Sequence, residues 1–276
     1  AIFGPLYSKQ TLPASKIAEK FNVPLMASYS SHPEVTANKK YVFRLSFTDT
    51  YQAKEVAKFA VNDLSLKRFG ILYEISDDYS RNLGDSFKKE VEKLGGKVEG
   101  VESYTFDKKT NIKESLLRLK QKNIEVIFLP NYFDDFSVQI KLIKKLNFKV
   151  TIIGGDANNF LRIHDEIPDY YFTDRIPTSF HSMDSFKKLY KAKMGQSDFD
   201  TTYADSYDGL NLLIEAIRRV QKTDPYSIMK SLNNFSPYKG ITAVFEYHNS
   251  GDPLAGIVIS KYSNGKVKIV KTCLPN

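Results

Sequence analysis

Cysteine is nearly absent. Among 276 residues there is one, Cys273, so no intrachain disulfide can form and no zinc site can be built from thiolates. Long hydrophobic runs are absent as well. No uninterrupted apolar stretch approaches the ~20 residues of a membrane span, and mean hydropathy is −0.36. There is no Gly/Ser-rich linker, no internal repeat and no low-complexity tract. Integral membrane, collagen-like and disordered classes are thereby excluded. Histidine is sparse: His32, His164, His181 and His248 are scattered, and no pair has metal-ligand spacing. The chain opens on a strand-like Ala1-Ile2-Phe3-Gly4 without Met or leader, and the natural N-terminus is expected upstream.

The motifs of common catalysis are missing too. There is no GxxxxGK followed by Ser or Thr, no GxGxxG, no HExxH and no GxSxG. Without a phosphate loop, metal pair or nucleophile–base pair, no enzyme, cofactor or metal is expected. The basic excess does not point to nucleic acid. Lys plus Arg outnumber Asp plus Glu by 40 to 32. The surplus is spread as 6 against 3 in residues 1–50, 21 against 20 in 51–178 and 13 against 9 in 179–276. A DNA-binding face concentrates its charge on one element, and here the Lys-rich surface reads as solvated.

The 31.5 kDa chain is comfortable for two domains. Short apolar runs alternate with amphipathic segments. Strands are expected at Ile2-Phe3, Pro24–Ala27, Tyr41–Ser46, Phe69–Tyr73, Val98–Tyr104, Val126–Leu129 and Thr151–Ile153. Helices are expected at Gln10–Phe21, at Tyr51–Leu64, through Leu83, Phe87 and Val91, at Ile112–Leu119, at Asp134–Leu146 and at Met183–Met194. A longer one carries Tyr203, Tyr207, Leu210, Ile214 and Ile217 on one face, and a last one follows Asp224-Pro225. The C-terminal part reads as strands Ile241–Tyr247, Ile257–Tyr262 and Val267–Lys271, with a turn at Asn264-Gly265. Alternation of this kind means parallel sheets with right-handed crossovers and helices on both faces.

In such a fold ligands bind beyond the carboxyl ends of the strands. The loops there are Gly4–Ser8, Ser28–Ser31, Ser76–Ser80, Asn131–Phe133 and Asp156–Asn159. The first two offer hydroxyls and helix-start amides, which suit a carboxylate. Asp156 with the rings of Tyr79 and Tyr132 suits an ammonium. Together they describe a receptor for a small zwitterion. His32 in the second loop, the acidic pairs Asp77-Asp78 and Asp134-Asp135, and the glycosylation-like Asn234-Phe235-Ser236 all have blander readings as surface, capping and chance.

Several segments together resemble type I periplasmic binding proteins, most nearly the leucine/isoleucine/valine-binding family of ABC importers. They are Ile2–Pro5, Pro13–Ala18, Val23–Leu25, Phe128–Tyr132, Ile153–Asp156, Tyr203–Asp208 and the Gly251-Asp252 turn. The resemblance implies an α/β fold of two doubly wound parallel-sheet lobes joined by a three-crossing hinge, with the first lobe lacking its opening segment. It implies lobe 1 at 1–48 and 178–254, lobe 2 at 49–177 and 255–276, and crossings near Ser46–Asp49, Ile176–Ser179 and Asp252–Gly256. By the same resemblance Ser8 and Ser31 hold a ligand carboxylate. Tyr29 stands where a backbone carbonyl turns toward the amine, and Asp156 pairs with the α-amino group. Tyr79 and Tyr132 close over the ligand from the second lobe. The implied role is capture of an amino acid in an interlobe cleft for an ABC permease. The alternative is the ligand-sensing domain of a membrane receptor with the same fold. The implied location is periplasmic or extracellular, membrane-associated, with room for a lipid anchor upstream.

Overall fold

The computed structural model describes residues 1–105, 107, 111–158, 167–175, 180–196, 201–234 and 237–275. His164, Asn159, Phe235, Ser236 and the crossing expected at Ile176–Ser179 lie outside these residues. The chain divides into two compact units. Unit 1 comprises Ala1–Thr48, Arg175–Gly256 and Leu274–Asn276, and unit 2 comprises Asp49–Asp174 and Ile257–Cys273.

Unit 1 opens with β1 (Ile2–Phe3), α1 (Ser8–Lys20), β2 (Leu25–Ala27) and β3 (Val42–Arg44). The three strands form a parallel sheet in the order β1-β2-β3. Helix α1 begins two residues earlier than Gln10, so Ser8 is its first residue, with Pro13 in its second turn.

Unit 2 follows with α2 (Asp49–Lys58), which widens into a looser turn over Phe59–Asp63. Then come β4 (Arg68–Glu74), α3 (Asp78–Lys93), β5 (Lys97–Tyr104) and α4 (Asn111–Gln121). They are followed by β6 (Val126–Leu129), α5 (Phe133–Lys145), β7 (Thr151–Gly154) and β8 (Tyr170–Arg175). β5, β4, β6, β7 and β8 run parallel in that order. The apolar strands alternate between two cores, as period-two side chains must. Ile71 and Phe128 join the α2/α3 face with Leu83, Phe87 and Val91. Leu72, Ile127 and Leu129 join the α4/α5 face with Leu116, Phe136 and Ile140. Helices on both faces make this a doubly wound sheet.

The chain returns to unit 1 with α6 (Phe180–Met194), α7 (Thr201–Val220), α8 (Pro225–Asn233), β9 (Tyr238–Lys239) and β10 (Val244–Phe245). Asp224 caps α8 through Ser227 N–H at 2.9 Å. β11 (Ile257–Ser263) and β12 (Lys266–Cys273) complete the seven-stranded sheet as an antiparallel pair. The Asn264-Gly265 turn between them has both residues at positive φ, as a two-residue hairpin of this twist requires.

One expectation is corrected. The strand expected over Ile241–Tyr247 shrinks to Val244-Phe245, paired with Tyr238-Lys239. In α7, of the residues expected on one face, Tyr203, Tyr207 and Leu210 are exposed, Ile214 is half-buried and Ile217 packs against the unit 1 core. The buried face is Ala204, Asp205, Asp208, Leu212, Leu213 and Ala216. The exposed tyrosines find partial cover on α6, with Tyr207 against Phe186 and Tyr203 against Tyr190.

Candidate ligand-binding site

In unit 1 the site residues follow the carboxyl ends of β1 and β2. Ser8 and Ser31 are both buried. Ser8 Oγ accepts the His32 N–H at 3.3 Å, so the two loops meet directly. Ser30 Oγ lies 2.5 Å from Thr11 Oγ1 and donates to the Leu6 carbonyl at 3.0 Å. Tyr7 occupies the N-cap of α1 without a side-chain cap bond. The N–H groups of Gln10 and Thr11 donate to the Tyr7 carbonyl at 3.1 and 3.0 Å, and the dipole of this 13-residue helix favours negative charge at this end. His32 Nδ1 accepts the Glu34 N–H at 3.2 Å and caps the short turn Pro33–Val35.

The Tyr29 ring meets a cation. The Arg175 guanidinium lies 5.2 Å from the ring centroid, and its Nη2 donates to the Ser28 carbonyl at 3.3 Å. Arg175 also ion-pairs with the buried Asp205. Burial pushes the Asp205 carboxyl up to about 6, against the pull of Arg175 and with a push from Asp208. Asp208 itself accepts the N–H groups of Ile241 and Thr242 and the Thr242 hydroxyl at 2.7–2.8 Å.

In unit 2, Tyr79, Tyr132 and Asp156 follow the neighbouring strands β4, β6 and β7. Asp77 caps α3 through Ser80 N–H at 2.9 Å and thereby sets Tyr79 in its first turn. Tyr132 is the N-cap residue of α5. The two rings stack with centroids 5.1 Å apart and planes 29° from parallel. Asp156 is 3% exposed, and so is Tyr79. Asp156 Oδ1 accepts the Tyr79 hydroxyl at 2.8 Å and Gln52 Nε2 at 3.0 Å. The Asp156 N–H donates back to Gln52 Oε1 at 2.9 Å, and Thr173 Oγ1 holds that same oxygen at 2.5 Å. The structure thus places Tyr79 as a buried donor to the acid, with its ring stacked on Tyr132.

Sequence reasoning missed Gln52, Arg175 and Arg44. Gln52 had a signal. Asp49, Gln52, Ala53, Val56 and Ala57 repeat at three- and four-residue spacing, which puts a glutamine on the inward face of α2. Arg44 had one too, as a charge inside the apolar run Val42–Leu45. Nothing local marks Arg175. Among the described residues no group of three or more His, Cys, Asp or Glu could hold a metal ion. Among them no helix is long and apolar enough to cross a membrane.

Hydroxyls and a helix start in unit 1, and stacked rings with a braced acid in unit 2, follow the carboxyl ends of parallel strands in an α/β fold. The chain belongs to the periplasmic binding protein family, whose model matches residues 1–263. A Leu/Ile/Val-binding protein homolog of Brucella suis is 20% identical over 269 residues, covering 96% of this chain and 72% of the relative. The Leu/Ile/Val-binding protein of Citrobacter freundii is 25% identical over 157 residues, covering 56% of this chain and 42% of the relative. The crystal structure of a leucine binding protein, LivK, from Thermotoga maritima matches with a TM-score of 0.88 at 25% identity, covering 100% of this chain and 80% of that one. LivJ of Streptococcus pneumoniae, solved with isoleucine, matches with a TM-score of 0.84 at 20% identity, covering 99% and 79%. The fold is that of type I periplasmic binding proteins, and the protein is an extracytoplasmic solute-binding protein, not an enzyme.

Proposed function

We propose that this protein captures a free L-amino acid for an ABC importer and hands it to a membrane permease, working at the outer face of the cytoplasmic membrane. The ligand carboxylate is met by Ser8, Ser31 and the first amides of α1. The ammonium is met by Asp156, with Tyr132 beside it. The observation that carries this reading is the bracing of Asp156. Tyr79 and Gln52 hold this buried carboxylate in place, and a fixed anion taken out of water favours a cationic partner. The names of the Brucella and Citrobacter relatives support the same ligand class.

A thermal-shift panel of the twenty amino acids tests the reading. One amino acid at 100 times its dissociation constant should add about 2.7 kcal/mol of stability. The panel includes 3,4-dihydroxybenzoic acid, because a solute-binding protein of Rhodopseudomonas palustris with this fold (TM-score 0.83, 17% identity) was solved with that amine-free acid. A response to an aromatic acid and to no amino acid would overturn the ammonium assignment.

A further inference from the structure

We propose that Arg44 is the positioning residue of the carboxylate end, shaping the Ser28–Pro33 loop from behind; this rests on the amino-acid reading above. Arg44 closes β3 and is fully buried. Its Nη1 donates to the carbonyls of Ser30 at 3.1 Å and His32 at 2.9 Å. Its Nη2 donates to the Pro33 carbonyl at 3.1 Å and to Thr36 Oγ1 at 2.6 Å. Its Nε donates to Asp252 Oδ1 at 2.6 Å. Three carbonyls from four consecutive residues therefore converge on one cation. A permanently charged planar fork with donors in fixed directions can hold such a set, and a lysine ammonium on a flexible stem cannot.

With those carbonyls drawn to Arg44, other polar groups of the loop reach the start of α1. The His32 N–H goes to Ser8 Oγ, and the Ser30 hydroxyl goes to Thr11 and Leu6. The guanidinium is itself fixed by a turn 208 residues further along the chain. The Arg44 N–H donates to the Gly251 carbonyl at 2.9 Å, and the Tyr247 hydroxyl donates to the Arg44 carbonyl at 2.7 Å. Thr36 Oγ1 donates to Asp252 Oδ1 at 2.6 Å, closing the ring. Gly251 has φ +71°, and a Cβ there would collide with the Val42 carbonyl, so this turn reaches Arg44 only as glycine.

The test uses Arg44→Lys, which keeps the charge and removes the fork, and Asp252→Asn, a milder change at a side chain one-third exposed. Hydrogen exchange on the unliganded variants reads the loop directly. The expected result is at least tenfold faster exchange in the peptide covering residues 28–36, with the peptide covering Val126–Leu129 unchanged. Calorimetry uses the L-amino acid giving the largest melting shift in the panel. Arg44→Lys should weaken it at least tenfold, and Asp252→Asn less, in the same direction. Adding Ser31→Ala to Arg44→Lys should cost less than the product of the two single effects, whereas adding Asp156→Ala should cost the full product. Wild-type affinity and wild-type exchange at 28–36 in both variants would overturn the proposal, and so would faster exchange spread evenly over the chain. If Arg44→Lys does not fold, Asp252→Asn decides by the same two readouts. If no amino acid binds the wild type, the amino-acid reading falls, and the loop exchange still decides whether Arg44 sets the loop.

Discussion

The Tyr79 hydroxyl reaches Asp156 Oδ1 at 2.8 Å across 77 residues of sequence. This bond joins the end of β4 to the end of β7 and fixes one oxygen of the acid. A hydrogen bond to a charged group contributes about 1.5–3 kcal/mol. Tyr79→Phe keeps the stack on Tyr132 and removes only the donor. Calorimetry should show amino-acid affinity about tenfold weaker, a smaller loss than Asp156→Ala produces.

Gly155 makes the same bond possible by having no side chain. A Cβ there would stand 2.5 Å from Tyr79 Oη and 3.0 Å from Leu83 Cδ2. Gly155→Ala should therefore weaken binding as much as Tyr79→Phe. It should also lower stability by about 1–3 kcal/mol through overpacking, read as a lower urea midpoint. Unchanged binding in Gly155→Ala would separate the hydroxyl from the function of the acid.

The fold was legible because its signals are local. The runs Phe69–Tyr73 and Val126–Leu129, the Leu83/Phe87/Val91 face of α3 and the Asn264-Gly265 turn each carry their own period or turn chemistry. The inward face of α7 was not legible. Its apolar stripe of Tyr203, Tyr207 and Leu210 is stronger than the face it buries, where Asp205 and Asp208 are taken up by Arg175, Ile241 and Thr242. Those partners are remote in sequence, and no periodicity encodes them. The same holds at the site. That Ser8, Tyr29, Ser31, Tyr79, Tyr132 and Asp156 follow strand ends could be read from the alternation. That Tyr29 lies under Arg175, and Tyr79 under Asp156's control of its hydroxyl, could not.

Asp205 gives the chain a pH signature. Its carboxyl sits at about 6 in the folded protein because burial disfavours its charge, against a reference value of 3.8. The folded state thus holds an extra proton between about pH 4 and 6. The stability this contributes is complete below about pH 4 and is lost as pH rises through 6. The loss is at most about 3 kcal/mol. Comparing urea midpoints of the wild type and Asp205→Asn from pH 4 to 7 isolates it. The wild type should lose ground to the variant as pH rises, and a gain would mean that the Arg175 pairing dominates the burial.

Ser8 and Ser31 share the carboxylate in this account. Each hydroxyl should contribute about 1 kcal/mol to binding, or roughly fivefold. Ser8→Ala should cost more than that, because it also strips the partner from the His32 N–H. The double variant, titrated by calorimetry, should lose at least 20-fold in affinity. A double variant that binds as the wild type does would move the carboxylate elsewhere.

The central claim is that Asp156 receives an ammonium group, and one measurement meets it head-on. Calorimetry should compare the best-binding L-amino acid with its des-amino analogue, on the wild type and on Asp156→Ala. Removing one partner of a desolvated charge pair costs about 2–5 kcal/mol. The wild type should therefore prefer the amino acid by a factor of 30 or more, and Asp156→Ala should bind both ligands about equally. An Asp156→Ala protein that still prefers the amino acid by the wild-type factor would contradict the account.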